Sequence, residues 1–340
     1  MKNELPVVER PKRVTLQDIA DAAGVKKMVV SNALNGTRSV APATREKVKR
    51  IASEMNYIPN FAARALTTGR TGIVAILSGP LLEPYYANMV HLLERHIHAD
   101  GFHLMLMRTS AEVKELVSAT GSVAVDGAIA VDMQSLVNEF RSHPTVPCVA
   151  IGTSRQPFVD SVVVDLSAGV EEALRLMVVA GRRRIAYLVT ATSMKRETEV
   201  RARAYGVAMR KAALVPEVIN VLTDDHDVFE QRFKAYIEEK GCPDGLLCQN
   251  DETAMGAFRV LRDLGFTVPS DVLLVGCDGQ PHMRNFDPPL STIAQPMEEM
   301  CAMAWQFLQQ RIAQPHLPHQ QATFEGKLVT TESLVPTHGS

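Results

Sequence analysis

At 340 residues, 46% hydrophobic and 22% charged, the chain has the length of two or three domains and the composition of a folded globular protein, which excludes intrinsic disorder. The net charge of −2 hides an asymmetry: residues 1–70 carry 13 Lys and Arg against 6 Asp and Glu (+7), and the rest carries 23 against 32 (−9). No apolar run reaches the roughly 18–20 residues of a membrane span, the polar start MKNELPVVERPKR lacks the apolar core of a secretory leader, and five cysteines without a Cys-x-x-Cys pair speak against a disulfide framework or structural zinc. The expected compartment is the cytoplasm, and a basic head suggests a nucleic-acid partner.

In chain order, Thr15 followed three residues later by Asp18 has the form of a capping box, so a helix begins there with Leu16, Ile19, Ala20 and Ala23 on one face. Gly24 permits a sharp turn before a second helix from about Lys26 to Leu34, closed by Asn35-Gly36. Pro42 suits the first turn of a third helix, whose buried stripe is Val48, Ile51, Ala52 and Met55. This is a helix-turn-helix pattern, in which the second helix enters the major groove. Val30, Ala33 and Leu34 then face the core, while Lys26, Lys27, Met28, Ser31 and Asn32 face out. Asn pairs bidentately with adenine, Lys reaches guanine or phosphate, and Met28 or Val29 touches a thymine methyl. On the residues alone, a solvated helix face reads equally well.

NYIPNFAARALTT, from Asn56, starts a helix at Pro59 and Asn60 and ends it at Thr67, Thr68 and Gly69, too short to stand alone in water. Beyond it, GIVAILS, FHLMLM, DGAIAV, VPCVAIG, RRIAYLVT, VINVL, DGLLCQN and DVLLVGCD alternate with helical stretches, which predicts parallel sheets covered on both faces, in two lobes. There is no Gly-x-Gly-x-x-Gly, Walker loop or Gly-x-Ser-x-Gly. HLLERH at 91–96 is neither His-Glu-x-x-His nor His-x-x-Glu-His, His91 and His98 read as solvated, and Cys148, Cys248 and Cys277 read as small buried thiols, so no metal or cofactor is expected. Ligands of open parallel sheets collect beyond the carboxyl ends of strands, where Asp165, Asn250 and Asp278 stand. Each alone is more often a cap or loop residue.

VTLQDIADAAGV, VSNALNG, TREKVKRIASEMNYIPN and ARALTTGRT resemble the DNA-binding module and hinge of the lactose/galactose repressor family of bacterial transcription regulators. RARAYGVAM, CQNDETAMGAFRVLRDLGFTVPSDVLLVGCDG and DPPLSTIAQP resemble the effector-binding core of the same family, itself similar to periplasmic sugar-binding proteins. The resemblance implies an all-α, lambda-repressor-like helix-turn-helix head (residues 14–58), a hinge helix and linker (59–70), and an α/β two-lobed core of parallel sheets of the periplasmic-binding-protein-like type I class (71–335). It implies a homodimer on a pseudo-palindromic operator, with hinge helices paired in the minor groove and Leu66 wedged between base steps. Thr15, Asn35, Tyr57, Asn60 and Ala63 join the outward residues of the second helix as DNA contacts. Arg201, Asn250 and Asp278 become effector contacts, with Asp165 and the aromatic pair Tyr85 and Tyr86 beside them, for a sugar or sugar derivative as the leading class, with a nucleobase or another metabolite left open.

The sequence departs from the family where specificity is set. Lys26 stands where a capping Ser is usual, Val29 where Thr is favoured, and Asn32 where Arg is frequent. In the usual Gly-Phe-Asp-Asp, Cys277 replaces the Phe and Gly279 the second acid, and the stretch MRTSAEVKELVSATGSVAVDG is about four residues short. The implied function is a transcription regulator, a repressor, and not an enzyme. The rival is a solute-binding protein of the transport class, which would need a leader and no basic head.

Overall fold

The computed structural model describes residues 14–35, 40–57, 70–118, 125–141, 146–190, 199–223 and 225–335. The hinge segment, with Asn60, Ala63 and Leu66, lies outside the described residues. The chain forms two compact units, residues 1–71 and 72–340.

In the first unit, α1 (Leu16–Ala23) starts on a reciprocal cap: the Thr15 hydroxyl accepts the Asp18 N–H at 3.3 Å, and the Asp18 carboxylate accepts the Thr15 N–H at 2.8 Å. Two of the helix's orphan donors are thereby satisfied. Gly24, at φ 66, ends α1 and leads to α2 (Lys27–Asn35); α3 (Pro42–Glu54) follows. Ile19, Ala20, Ala23, Val30, Ala33, Val48, Ile51 and Ala52 form one buried cluster, so each helix hides the stripe its periodicity sets.

The second unit begins with β1 (Ile73–Leu77), α4 (Pro84–Ala99), β2 (His103–Met107), α5 (Ser110–Val117), β3 (Gly127–Val131), α6 (Gln134–Val137), β4 (Cys148–Gly152) and β5 (Asp160–Asp165). It continues with α7 (Ser167–Val179), β6 (Ile185–Val189), α8 (Val200–Lys211), β7 (Glu217–Asn220), α9 (His226–Lys240), β8 (Gly245–Cys248), α10 (Asp251–Asp263) and β9 (Leu273–Asp278). It closes with β10 (Ser291–Ala294), α11 (Met297–Ala313), β11 (Gln321–Glu325) and β12 (Lys327–Val329). Two six-stranded sheets result, ordered β11-β5-β4-β3-β1-β2 and β12-β10-β9-β8-β6-β7, parallel throughout except for β12, which runs antiparallel to β10.

Alternation along the strands sorts side chains between the two faces of each sheet. In the first sheet, Val74, Ile76, Ile129, Val131, Val149 and Ile151 pack with residues of α4 and α11, while Ala75, Leu77, Ala128, Ala130 and Ala150 pack with residues of α5 and α6. In the second sheet, Ile185, Tyr187 and Val189 join residues of α7 and α8, and Ala186, Leu188 and Leu246 join those of α9 and α10.

The chain passes between sheets three times, after β5, after β10 and at Gly326 between β11 and β12. The Gly326 N–H donates to the Asp165 carbonyl at 2.8 Å, and a Cβ on Gly326 would meet the Leu166 side chain at 2.5 Å. After the second crossing, α11 packs against α4 and strands β3 to β5, completing the first lobe. Its attachment centres on Arg311, which donates two hydrogen bonds to the fully buried Asp160 carboxylate at 3.0 and 2.8 Å and others to the carbonyls of Pro315, Leu317 and Pro318. The Gln320 N–H donates to the same carboxylate at 2.7 Å, so one ion pair fixes α11, the loop beyond it and the start of β11. Arg311→Met leaves the Asp160 charge buried without its partner and is expected to cost about 3–5 kcal/mol, read as a lower urea midpoint. Adding Asp160→Asn should restore part of the loss.

Candidate functional site

On the head, Lys26, Lys27 and Met28 are exposed, Met28 by 63%, while Ser31 and Asn32 are half-buried. Lys27 and Ser31, and Met28 and Asn32, are spaced i and i+4, so these four share one side of α2. That side presents a cation, a thioether, a hydroxyl and an amide, the set that reads phosphate and base edges. Asn35 is the last residue of α2. Thr15 spends its hydroxyl on the α1 cap, and Tyr57 packs half-buried against the head's core.

In the second unit, the geometry follows from strand order. β1 lies between β3 and β2, and β6 between β8 and β7, so each sheet reverses its direction of winding one strand in from its edge, and a crevice opens beyond the carboxyl ends there. The segments leaving these strands carry the predicted residues: Tyr85 and Tyr86 after β1, Arg201 after β6, Asn250 after β8, and Asp278 at the end of β9. The Tyr85 and Tyr86 rings meet edge to face with centroids 5.3 Å apart. Tyr85 is buried with its hydroxyl donating to the Asp132 carboxylate at 2.7 Å. Tyr86 is half-buried and lies over Gly79, where a Cβ would meet the ring at 2.5 Å. Gly79 thus leaves room for the flat of the Tyr86 ring.

Arg201 donates to the Glu199 carboxylate at 2.6 Å and to the Gln249 carbonyl. Burial opposes its charge, yet the Tyr187 and Glu199 oxygens hold it protonated, its pKa well above the usual value. Burial raises the Asp132 and Asp278 carboxyls above the ordinary range; the field of Asp251 adds to the effect at Asp278, and the Tyr85 hydrogen bond moderates it at Asp132. Asp132 sits at φ 48 and Asp278 at φ 130, backbone conformations that cost strain outside glycine and cluster at ligand sites.

Asn250 acts as the cap of α10, its side-chain oxygen accepting the Thr253 N–H at 2.8 Å and hydroxyl at 2.6 Å. Asp165 is not brought to this group. It ends β5, two strands from β3, and is exposed, with its carboxylate accepting the Ser167 N–H at 2.8 Å. His91 and His98 are exposed on α4.

Sequence reasoning passed over Asp132, Glu199, Asp251 and Gln280. Asp132 follows DGAIAV at a strand's carboxyl end and meets the same rule that selected Asp278. Asp251 accepts the Thr292 hydroxyl and the Gln280 N–H, both at 2.6 Å, tying α10 to β10 and to the turn after β9. Gly279 in that turn has φ 84, and a Cβ there would lie 2.7 Å from the Ala294 Cβ, so a side chain does not fit the turn as it is packed here. The Gln280 side-chain oxygen accepts from Asn88 of α4 at 2.6 Å, a bridge between the lobes. A separate concavity of about 540 Å³ lies between α7 and α8, but its rim charges pair with each other, Lys211 with Glu171 and Arg175 with Glu172.

Residues 15–60 match the family model of bacterial regulatory proteins, lacI family, and residues 174–334 that of a periplasmic binding protein-like domain. The chain is 28% identical over 330 residues to the ribose operon repressor of Haemophilus influenzae, covering 94% of this chain and 98% of the relative. It is 28% identical over 333 residues to the HTH-type transcriptional repressor PurR of Proteus mirabilis, covering 94% and 96%. Its fold matches the lac repressor dimer bound to operator and the anti-inducer ONPF with a TM-score of 0.81 at 23% identity, covering 95% and 100%. A cellobiose complex of the transcriptional regulator CelR gives 0.67 at 27% identity, covering 94% and 100%.

Burial pushes the Asp251 carboxyl up to about 6 despite its donors. The folded chain thus holds this proton more tightly than the unfolded one, whose carboxyl titrates near ~3.9. The contribution is fully present below that value and is lost as pH rises through about 6. Asp251→Asn removes the titration, so relative to wild type it should gain on the order of 2 kcal/mol between about pH 4 and about pH 7. Urea unfolding across that range measures it, and parallel profiles for the two proteins would refute a desolvated carboxyl.

Proposed function

The chain belongs to the lacI family of bacterial regulatory proteins, and on that premise we propose that it is a cytoplasmic repressor acting as a homodimer on a pseudo-palindromic operator, switched by a small polyhydroxyl effector. The observation that carries the reading is the outward side of α2, where exposed Lys27 and Met28 and half-buried Ser31 and Asn32 stand, within an N-terminal stretch (residues 1–70) of net charge +7. Residues 14–58 read DNA, 59–70 form the hinge, and 71–335 bind effector and dimerise. Lys26, Lys27, Met28, Ser31, Asn32 and Asn35 meet the major groove, with Thr15 and Tyr57 at its edge. Asn60, Ala63 and Leu66 meet the minor groove. Tyr86, Arg201, Asn250 and Asp278 line the effector cleft, and a ligand joined to both lobes shifts the balance between two arrangements of the core, which is all that switching requires.

Selection of bound sequences from random DNA tests the reading. A symmetric site should emerge, with affinity that falls steeply as salt rises because several Lys and Arg displace counterions from phosphates. On that site Asn32→Ala should lose about 1–3 kcal/mol of discrimination at particular base pairs, whereas Lys27→Ala should weaken all sequences alike. Equal losses across every operator variant would reject base reading by Asn32.

In the core, Asp278→Asn should cost about 1.5–3 kcal/mol of effector affinity, the worth of a charge-assisted hydrogen bond, while operator binding without effector stays intact. Reciprocity requires the operator to shift effector affinity by the same factor as effector shifts operator affinity. Effector titrations that coincide with and without operator would exclude coupling of this cleft to the head.

A further inference from the structure

Met28 stands apart from the other apolar residues of the head. At 63% it is the one exposed large apolar side chain among the described residues there; every other Leu, Ile, Val and Met is buried or half-buried. A single exposed apolar residue is ordinary on a protein surface, so its placement has to decide what it means. Met28 is the second residue of α2, at the N-terminal end from which a recognition helix touches base edges. Lys26 and Lys27 precede it, both exposed, and Asn32 follows at i+4 on the same side of the helix. Two cations thus draw this end of α2 towards phosphate, with a thioether beside them where a hydrogen-bonding side chain could have stood.

The floor of the major groove offers such a side chain few partners. Guanine presents two acceptors, adenine an acceptor and an amine, and cytosine an amine, whereas thymine carries an apolar group, its C5 methyl. The Met side chain has no donor, and its sulfur is a weak acceptor. Against a guanine or cytosine edge it would strip water from polar atoms and return no hydrogen bond, which is a net loss. Against thymine it covers a methyl group that otherwise faces water. The unbranched chain, with three rotatable bonds, adapts its end to that methyl.

We propose that Met28 selects a thymine in each operator half-site through the C5 methyl group, so that the base at this position is read by apolar contact and not by a hydrogen bond. This rests on the reading of α2 as the helix that enters the major groove. One turn of α-helix advances about 5.4 Å against about 3.4 Å for a base-pair step, which sets the thymine roughly one to two steps from the pair read by Asn32. Burial of one methyl group is worth a factor of roughly four in affinity, and two symmetric half-sites raise that to roughly fifteen.

The test uses the full chain on the site selected from random DNA. Each thymine on either strand is replaced in turn by deoxyuridine, which removes the methyl and keeps the base pair, first in one half-site and then in both. At one position affinity should fall roughly fourfold for one half-site and roughly fifteenfold for two. Met28→Ala should bind thymine and uracil alike there, while Met28→Leu, which keeps an apolar end, should retain the preference. Met28 lies outside the core cluster of the head, so these variants keep the fold. At the same position 5-methylcytosine should bind more tightly than cytosine, and Met28→Gln should move the preferred base from thymine to adenine, whose N6 and N7 pair with a carboxamide. Uracil that binds as well as thymine at every position, or a methyl dependence that Met28→Ala leaves in place at every position where it occurs, overturns the assignment while leaving the regulator standing. Failure to select any operator overturns the DNA reading and this contact with it.

Discussion

Parallel pairing makes every strand of a sheet finish on the same edge, and that constraint governs where chemistry can sit in this molecule. Helices cover both faces of each sheet, so polar groups have access to a ligand only at the strand ends. Reversal of strand order at β1 and β6 then opens the helical cover at one point on each edge. Tyr86, Asp132 and Arg201 follow a strand at or beside such a reversal, and Asp278 ends β9, one strand further out beyond β8. Asp165 ends a strand too, but β5 is two strands away from the opening, and its backbone serves the crossing to Gly326 instead.

Convergence of this kind is costly, and the structure shows what offsets the cost. The buried carboxyls of Asp251 and Asp278 and the exposed residue Asp132 crowd one region, and Asp132 and Asp278 occupy backbone conformations that L-residues rarely adopt. Hydrogen bonds from Tyr85, Thr292, Gln295 and the Gln280 backbone hold them in place. Glycines make the space: Gly152 beneath Asp132, Gly79 beneath Tyr86 and Gly279 against Ala294. A side chain has no room at that last position as β10 packs against the turn.

Much of this was legible before any coordinates. The reciprocal Thr15–Asp18 cap, the Gly24 turn and the stripe of Val48, Ile51 and Ala52 are local patterns, and local patterns are what a sequence displays directly. Eight strands were visible as apolar runs, but β5, β10, β11 and β12 were not named. β11 and β12 are half-exposed edge strands, and β10 is only four residues long. Less visible still was the return of α11 to the first sheet, because nothing in its own residues says which lobe it will cover. Asp132 was within reach of the strand-end rule and was missed. Asn250 illustrates the reverse difficulty, since a capping Asn and a ligand-binding Asn have the same local sequence, and here the cap is made.

The crossing at Gly326 has a consequence for how the protein is made. A ribosome delivers β1 to β5 first, yet that sheet lacks its edge strand β11 and its covering helix α11 until residues 297–325 have emerged. Until then one side of β5 presents unpaired backbone groups, and Val74, Ile76 and Ile129 lack a wall of their core. The lobe nearest the N-terminus is therefore completed only after the second lobe has nearly all been synthesised. The Arg311–Asp160 lock joins a late residue to an early one. A nascent chain cut short before residue 311 would hold a buried aspartate with no cation to meet it, so truncated products should be left unfinished and open to disposal by chaperones and proteases.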